Sequence, residues 1–165
     1  MTATAASMLP RRRGPRPTTT SRMPHSQLDQ QPADPAIIES LARRIFGLPG
    51  VRRGPSGVSV PGTSAAILDD SVPTSGDAFL VGREFAHIHP GPDHSLHIAL
   101  PASLADAAIG LGWAERHMLA GTDSVPIGTV MVYAPRDMEE VGTVAAIVEA
   151  AYHELVKKPP PAAVS

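Results

Sequence analysis

Residues 84–100, EFAHIHPGPDHSLHIAL, constrain the fold more than any other stretch of this chain. Pro90-Gly91-Pro92-Asp93-His94 is a turn by mechanism, because proline fixes φ and glycine accepts positive φ. On either side, apolar and polar residues alternate with the period of two that a strand requires. The expectation is an antiparallel hairpin of strands 84–89 and 95–100 joined by the loop 90–94. In that register His89 opposes Ser95, His87 opposes His97 and Phe85 opposes Ala99. Ala86, Ile88, Leu96, Ile98 and Leu100 then face a core, while Phe85, His87, His89, Ser95, His97 and Ala99 share the other face.

The hairpin holds four of the seven histidines, and three of these fall on that second face. Directly opposed residues have Cβ atoms roughly 4.5–5.5 Å apart, so the rings of His87, His89 and His97 are close enough to converge on one point. Three readings stand. Three neutral imidazoles suit zinc or another first-row divalent ion with an open position for water. An imidazole whose pKa lies near working pH serves acid–base or nucleophilic chemistry without metal. Histidine is also a half-polar strand residue that bonds its neighbours or water.

The remaining elements are shorter readings. Asp34-Pro35 is an N-cap followed by a first-turn proline, and Ile38, Leu41, Ile45 and Leu48 follow at helical spacing up to a stop at Gly47. Strands are expected at 57–60 (GVSV) and 64–68 (SAAIL), parted by Pro61-Gly62, with another starting between Asp77 and Val81. A second helix over 102–111 begins at Ser103-x-x-Asp106 and stops at Gly112. TVMVY (129–133) reads as a strand. Asp137-x-x-Glu140 opens a helix over 137–156, carried by Val141, Val144, Ala145, Val148, Ala151, Tyr152 and Leu155. Lys157 and Lys158 complement its dipole and Pro159-Pro160-Pro161 ends it. The pattern is α+β: a single compact domain with a mostly antiparallel sheet and about three helices.

Residues 1–33 mix Pro, Thr, Ser and Arg with few large apolar side chains, too few to offset ordering entropy, and read as a disordered tail. Residues 34–156 are then the folded domain and 157–165 a C-terminal tail. The tail carries five arginines and one acid, which leaves +4 there and −6 in the remainder of a chain of net charge −2. An acidic domain disfavours a folded nucleic-acid surface, so the only basic signal lies in the tail. With no cysteine, thiolate ligands, disulfides and Cys nucleophiles are excluded, and a reducing cytoplasm fits. No apolar run approaches the roughly 20 residues of a membrane helix, and the basic N-terminus lacks the apolar core of a secretory signal.

A second polar cluster follows the hairpin. Trp113, Glu115 and His117 lie together after the second helix, and Glu115 and His117, two apart in a loop, are spaced to point the same way. Arg136, at the start of the last helix, is placed to hold an anion or to pair with Glu84, Glu139 or Glu140.

EFAHIHPGPDHSLHIALP, then GWAERHMLAG, then VMVYAPRDMEEV resembles the luciferase-domain family. Its bacterial and fungal members share an E-F-x-H-x-H…S-L-H hairpin, a G-W-x-E-x-H segment and a final Y-x-P-R-x-x-x-E helix start. The resemblance covers about residues 34–156. It places the family's recurrent polar residues on Glu84, His87, His89, Ser95, His97, Trp113, Glu115, His117, Arg136 and Glu140. It departs from the family at His94, where a glycine is common before the serine. The resulting expectation is a small-ligand pocket with His87, His89, His97, Glu115 and His117 as candidate catalytic residues and Glu84, Ser95, Trp113 and Arg136 as ligand-binding residues. His87, His89 and His97 are the candidate metal ligands, and no cofactor or oligomeric state is specified. The alternative is a non-catalytic module whose polar motifs hold the fold together.

Overall fold

A computed structural model describes residues 2–76 and 78–156. In chain order the elements are α1 (Thr2–Ser7), α2 (Pro35–Phe46), β1 (Val51–Pro55), β2 (Ser64–Leu68), β3 (Glu84–Ile88), β4 (Leu96–Ala99), α3 (Ala102–Gly110), β5 (Ala114–Arg116), β6 (Thr129–Val132) and α4 (Met138–Leu155). The strands form one six-stranded antiparallel sheet in the order β1-β2-β3-β4-β6-β5, so the expected α+β class holds. Among the described residues no helix is long and apolar enough to cross a membrane.

The helices form where capping and periodicity place them. Asp34 accepts a hydrogen bond from Ala36 N–H ahead of Pro35, and Gly47 closes α2. Asp137 accepts from Glu140 N–H at the head of α4. The apolar stripe of α4 from Val141 to Leu155 is buried, and α2 packs against α4. Each such Val or Leu contributes roughly 1.5–3 kcal/mol of transfer free energy. At α3 the expectation fails at the cap. Pro101 occupies the N-cap with an extended backbone and no side-chain bond, so Ser103 lies inside the helix. The residues after α4, with Lys157, Lys158 and the proline run, lie outside the described residues.

Two strand expectations also change. The first strand is Val51–Pro55, not 57–60. Its Pro55 is tolerated because β1 is an edge, while residues 57–60 form a loop. No strand runs through 78–81, where Val81 makes one bridge to Glu84, and Asp77 lies outside the described residues. At the β4 end, Leu100 N–H donates to Gly128 carbonyl, and any Cβ at Gly128 would collide with the Leu100 backbone.

The hairpin adopts the expected register, with His87 opposite His97 and Ile88 opposite Leu96. Ile88 and Ile98 are buried in the main core. One side chain changes face. Between Ala66 and Ile67 of β2, the partner on β3 jumps from Ala86 to Glu84, so Phe85 is the extra residue of a bulge. Phe85 thereby joins the core beside Tyr152, at a ring separation of 6.3 Å. Glu84 is brought to the histidine side, 2.8 Å from His87 Nδ1. In the loop, His94 sits at φ 58, a left-handed conformation that favours glycine.

The largest correction concerns the N-terminal segment, which is not a disordered tail over its described length. From residue 10 it passes the free edge of β5 and crosses onto the histidine face. Trp113 Nε1–H donates to Pro10 carbonyl at 2.6 Å, Arg12 N–H donates to Leu111 carbonyl, and Arg16 donates to Ala114 carbonyl at 2.8 Å on that edge strand. Gln27 is fully buried: its Oε1 accepts from Ala134 N–H and its own N–H donates to Asp93. The segment has few large apolar side chains, so polar bonds to exposed sheet-edge and loop groups hold it in place of a hydrophobic stripe.

Candidate functional site

Five imidazoles meet on the face covered by this segment. His87 and His97 are cross-strand partners with ring centroids 5.1 Å apart, and His89 lies 4.5 Å from His97. His117 follows β5, where its N–H donates to Thr129 carbonyl, and its ring is 4.6 Å from His97. The fifth is His25, delivered by the N-terminal segment and stacked on His97 at 5.3 Å. All five are buried.

Their hydrogen bonds fix most of the ring protons. His87 Nδ1–H donates to Glu84 Oε1 at 2.8 Å, which leaves the Nε2 lone pair facing His97 Nδ1 at 3.2 Å. Ser95 Oγ donates its proton to Asp93 at 2.5 Å and so accepts from His89 Nδ1–H at 3.0 Å, with Asp93 Oδ2 also 3.1 Å from that nitrogen. His89 therefore presents its Nε2 lone pair. His25 Nε2–H donates to Glu115 Oε1 at 2.6 Å, and Tyr133 hydroxyl donates to Glu115 Oε2. Among the described residues, His25 Nδ1 and His97 Nε2 are buried without a partner. His117 differs, because its Nδ1 accepts from Leu119 N–H and its proton therefore sits on Nε2. The floor is rich in acceptors and poor in donors.

Electrostatics keep it so. Burial, and then repulsion from His89, His87, His117 and His25, pushes His97 far below the usual histidine pKa. Burial and the neighbouring imidazoles lower His117 to about 4. Burial also lowers His87 despite the opposing bond from Glu84. Behind these neutral rings stand three carboxylates. Burial raises Glu84, Asp93 and Glu115, but the hydrogen bonds that each accepts outweigh it and hold all three below their usual values. The ion pairs of these carboxylates among the described residues are to histidine, with no Lys or Arg.

Above the floor is a cavity of about 270 Å³, near the lower end of the roughly 300–1,000 Å³ range of ligand pockets. Met23, Val58, Val60, Leu80, Leu119 and Val125 give it apolar walls. Loop 57–60, which forms no strand, supplies one of these walls.

The structure gathers His87, His89, His97 and His117 around this cavity, with Glu84, Ser95 and Glu115 behind them as bonded partners. Trp113 and Arg136 are not among its lining residues. Trp113 is core, tied to Pro10, and Arg136 pairs with the buried Glu140 and bonds Arg13 carbonyl. Sequence reasoning missed His25 and Asp93. The one signal for His25 was a lone histidine in a segment read as tail, and Asp93 was read only as a turn former. Two sets of three rings, His87/His89/His97 and His25/His97/His117, each offer ligand atoms within 4.8 Å of one another and could hold a metal ion.

The Luciferase domain family model matches residues 82–151. The chain is similar to proteins named luciferase from Armillaria ostoyae and Armillaria gallica, at 31% identity over 168 residues in each case. It is 30% identical over 166 residues to the luciferase of Neonothopanus nambi. These alignments cover 92% of this chain and 62% of each relative, so the chain spans about three fifths of their length. The uncovered 8% of 165 residues is about 13, fewer than the 24 that precede His25, which therefore lies inside the aligned stretch. No solved structure gives a significant match.

Proposed function

We propose that this chain, whose residues 82–151 belong to the luciferase-domain family, is an enzyme that binds a small, mainly apolar molecule by a hydroxylated end and takes a proton from it. The observation that carries the reading is the floor itself: neutral imidazoles with unshared lone pairs under an apolar cavity. Lone pairs in a site with few donors are satisfied by O–H groups of a ligand, and a buried acceptor left unmet costs about 1–3 kcal/mol. The apolar walls suit the body of such a molecule, and the cavity volume limits it to roughly two fused rings.

His25 suits the general base. It is oriented by a carboxylate, Glu115, that opposes the charge of the imidazolium formed. His117, with its proton on Nε2, is the group placed to donate to developing negative charge. In the metal-free protein His97 stays neutral and its Nε2 accepts from the hydroxyl. The relatives' printed name, luciferase, suits an enzyme acting on a small organic molecule. The lack of cysteine fits work in the reducing cytoplasm.

The test is calorimetric titration of EDTA-treated protein with 2-naphthol and with 2-methoxynaphthalene, which keeps the rings and masks the O–H. The expected result is three- to tenfold tighter binding of the naphthol, the equivalent of one hydrogen bond of about 0.5–1.5 kcal/mol. Equal affinity, or no binding of either, refutes the reading.

A further inference from the structure

We infer that His87, His89 and His97 together hold one first-row divalent transition-metal ion, with an open coordination position toward the cavity. Nothing in this inference requires that a hydroxylated ligand bind.

Charge is the first argument. Glu84 and Asp93 lie directly behind His87 and His89, and no guanidinium or ammonium group pairs with either among the described residues. Two buried carboxylates stand behind three converging rings with no cationic side chain paired to them, a surrounding that suits a bound cation.

The second argument is orientation. A metal-bound imidazole characteristically donates its other N–H to a carboxylate or carbonyl, which fixes the ring and makes it a stronger ligand. Glu84 does this for His87, and Asp93 with Ser95 does it for His89, so both rings present Nε2.

Spacing is the third. Zinc–nitrogen bonds of roughly 2.0–2.1 Å at tetrahedral angles put two ligand nitrogens about 3.3 Å apart. His87 Nε2 and His97 Nδ1 are 3.2 Å apart. Ligation by His97 Nδ1 leaves the proton on Nε2, the buried atom now without a partner.

The other set of three is worse suited. His117 Nδ1 is occupied by Leu119 N–H, so binding through Nε2 requires loss of a proton or of that bond. His25 stacks on His97 with planes only 25° apart, and in-plane lone pairs of nearly parallel rings converge poorly. By contrast His89 meets His97 at 87° and His87 meets it at 70°. His25 Nδ1 and His117 Nε2–H then remain as acceptor and donor beside the open position. Three neutral imidazoles favour zinc, copper, iron or nickel over magnesium or calcium, which take oxygen ligands.

The experiment titrates Co²⁺ into the EDTA-treated full chain, read by visible absorption, with Zn²⁺ as competitor. The expected result is one Co²⁺ per chain, displaced by Zn²⁺ and lost in His89→Ala and His97→Ala. Asp93→Asn, which keeps the ligand set, should weaken binding roughly ten- to a hundredfold, and His117→Ala should leave it unchanged. A chain that gives no Co²⁺ spectrum, or keeps it in His89→Ala, or loses it in His117→Ala, overturns the assignment. Should His97→Ala fail to fold, His89→Ala and Asp93→Asn decide. The naphthol titration uses metal-free protein, so its failure and failure here are separate results.

Discussion

Lowering the pH of the metal-free protein from about 7 to about 5 should destabilise it by an amount set by the buried histidines. In the unfolded chain each imidazole titrates near 6.5. In the folded chain His117 is held at about 4, and His97 and His87 are displaced in the same direction. Between the two values the unfolded state binds more protons than the folded state, so stability rises with pH there. It is fully present above about pH 6.5 and is lost as pH falls toward about 4. Each fully displaced histidine contributes ~1.4 kcal/mol per pH unit below its unfolded value, or about 2 kcal/mol for His117 by about pH 5. Because the rings repel one another's protons, they titrate as a coupled set and the individual losses do not simply add. The expected total is about 2–5 kcal/mol. Unfolded carboxylates remain mostly ionised in this window, so the loss belongs to histidine. Urea unfolding at several pH values measures it, with His117→Gln as the control that reduces the slope. A midpoint that stays flat or rises toward about pH 5 refutes the argument that these rings are buried and neutral.

Gln27→Ala should destabilise by about 1–3 kcal/mol in urea unfolding, because it strips Ala134 N–H of its buried acceptor; a neutral result means that the N-terminal segment does not pack as described. Arg136→Ala leaves the buried Glu140 carboxylate with only the more distant Arg13, 3.9 Å away, and should cost about 3 kcal/mol, while 2-naphthol affinity stays unchanged because Arg136 lies off the cavity. Loss of affinity in a folded Arg136→Ala protein contradicts that placement. His94→Gly should raise stability by up to about 1 kcal/mol, since it relieves a left-handed residue against a modest entropic cost in the unfolded chain. A lower thermal midpoint tells against strain at this position.

Much of the frame was legible in the sequence because its signals are local. Periodicity over Val141–Leu155, Asp-initiated helix starts and alternation about a proline–glycine turn each depend on a few neighbouring residues, and each has its element in the structure. The bulge at Phe85 was not legible, because an extra residue in one strand is defined only against its partner, here β2. That single residue decides that Glu84, rather than Phe85, supports His87. Composition misled for residues 10–33. Polar, arginine-rich sequence normally solvates, but here Arg12 and Arg16 find carbonyls and Gln27 finds a backbone N–H that only the folded sheet and its loops provide. The same segment carries His25, so the site was read as three strand histidines and a loop pair rather than four rings around His97. The glycine that the family commonly places before the serine matches the left-handed backbone at His94, a case in which resemblance carried conformational information that spacing could not.

The chain's seven histidines make the central claim directly measurable. Five of them, His25, His87, His89, His97 and His117, surround the cavity floor, while His94 lies in the hairpin loop and His153 on α4. Ring carbon-13 signals of histidine-labelled protein, followed during titration with 2-naphthol, report on each of them separately. The account predicts saturable shifts in the five floor signals, with those of His94 and His153 unmoved. Shifts confined to His94 or His153, or floor signals that stay fixed while the naphthol binds, would contradict it.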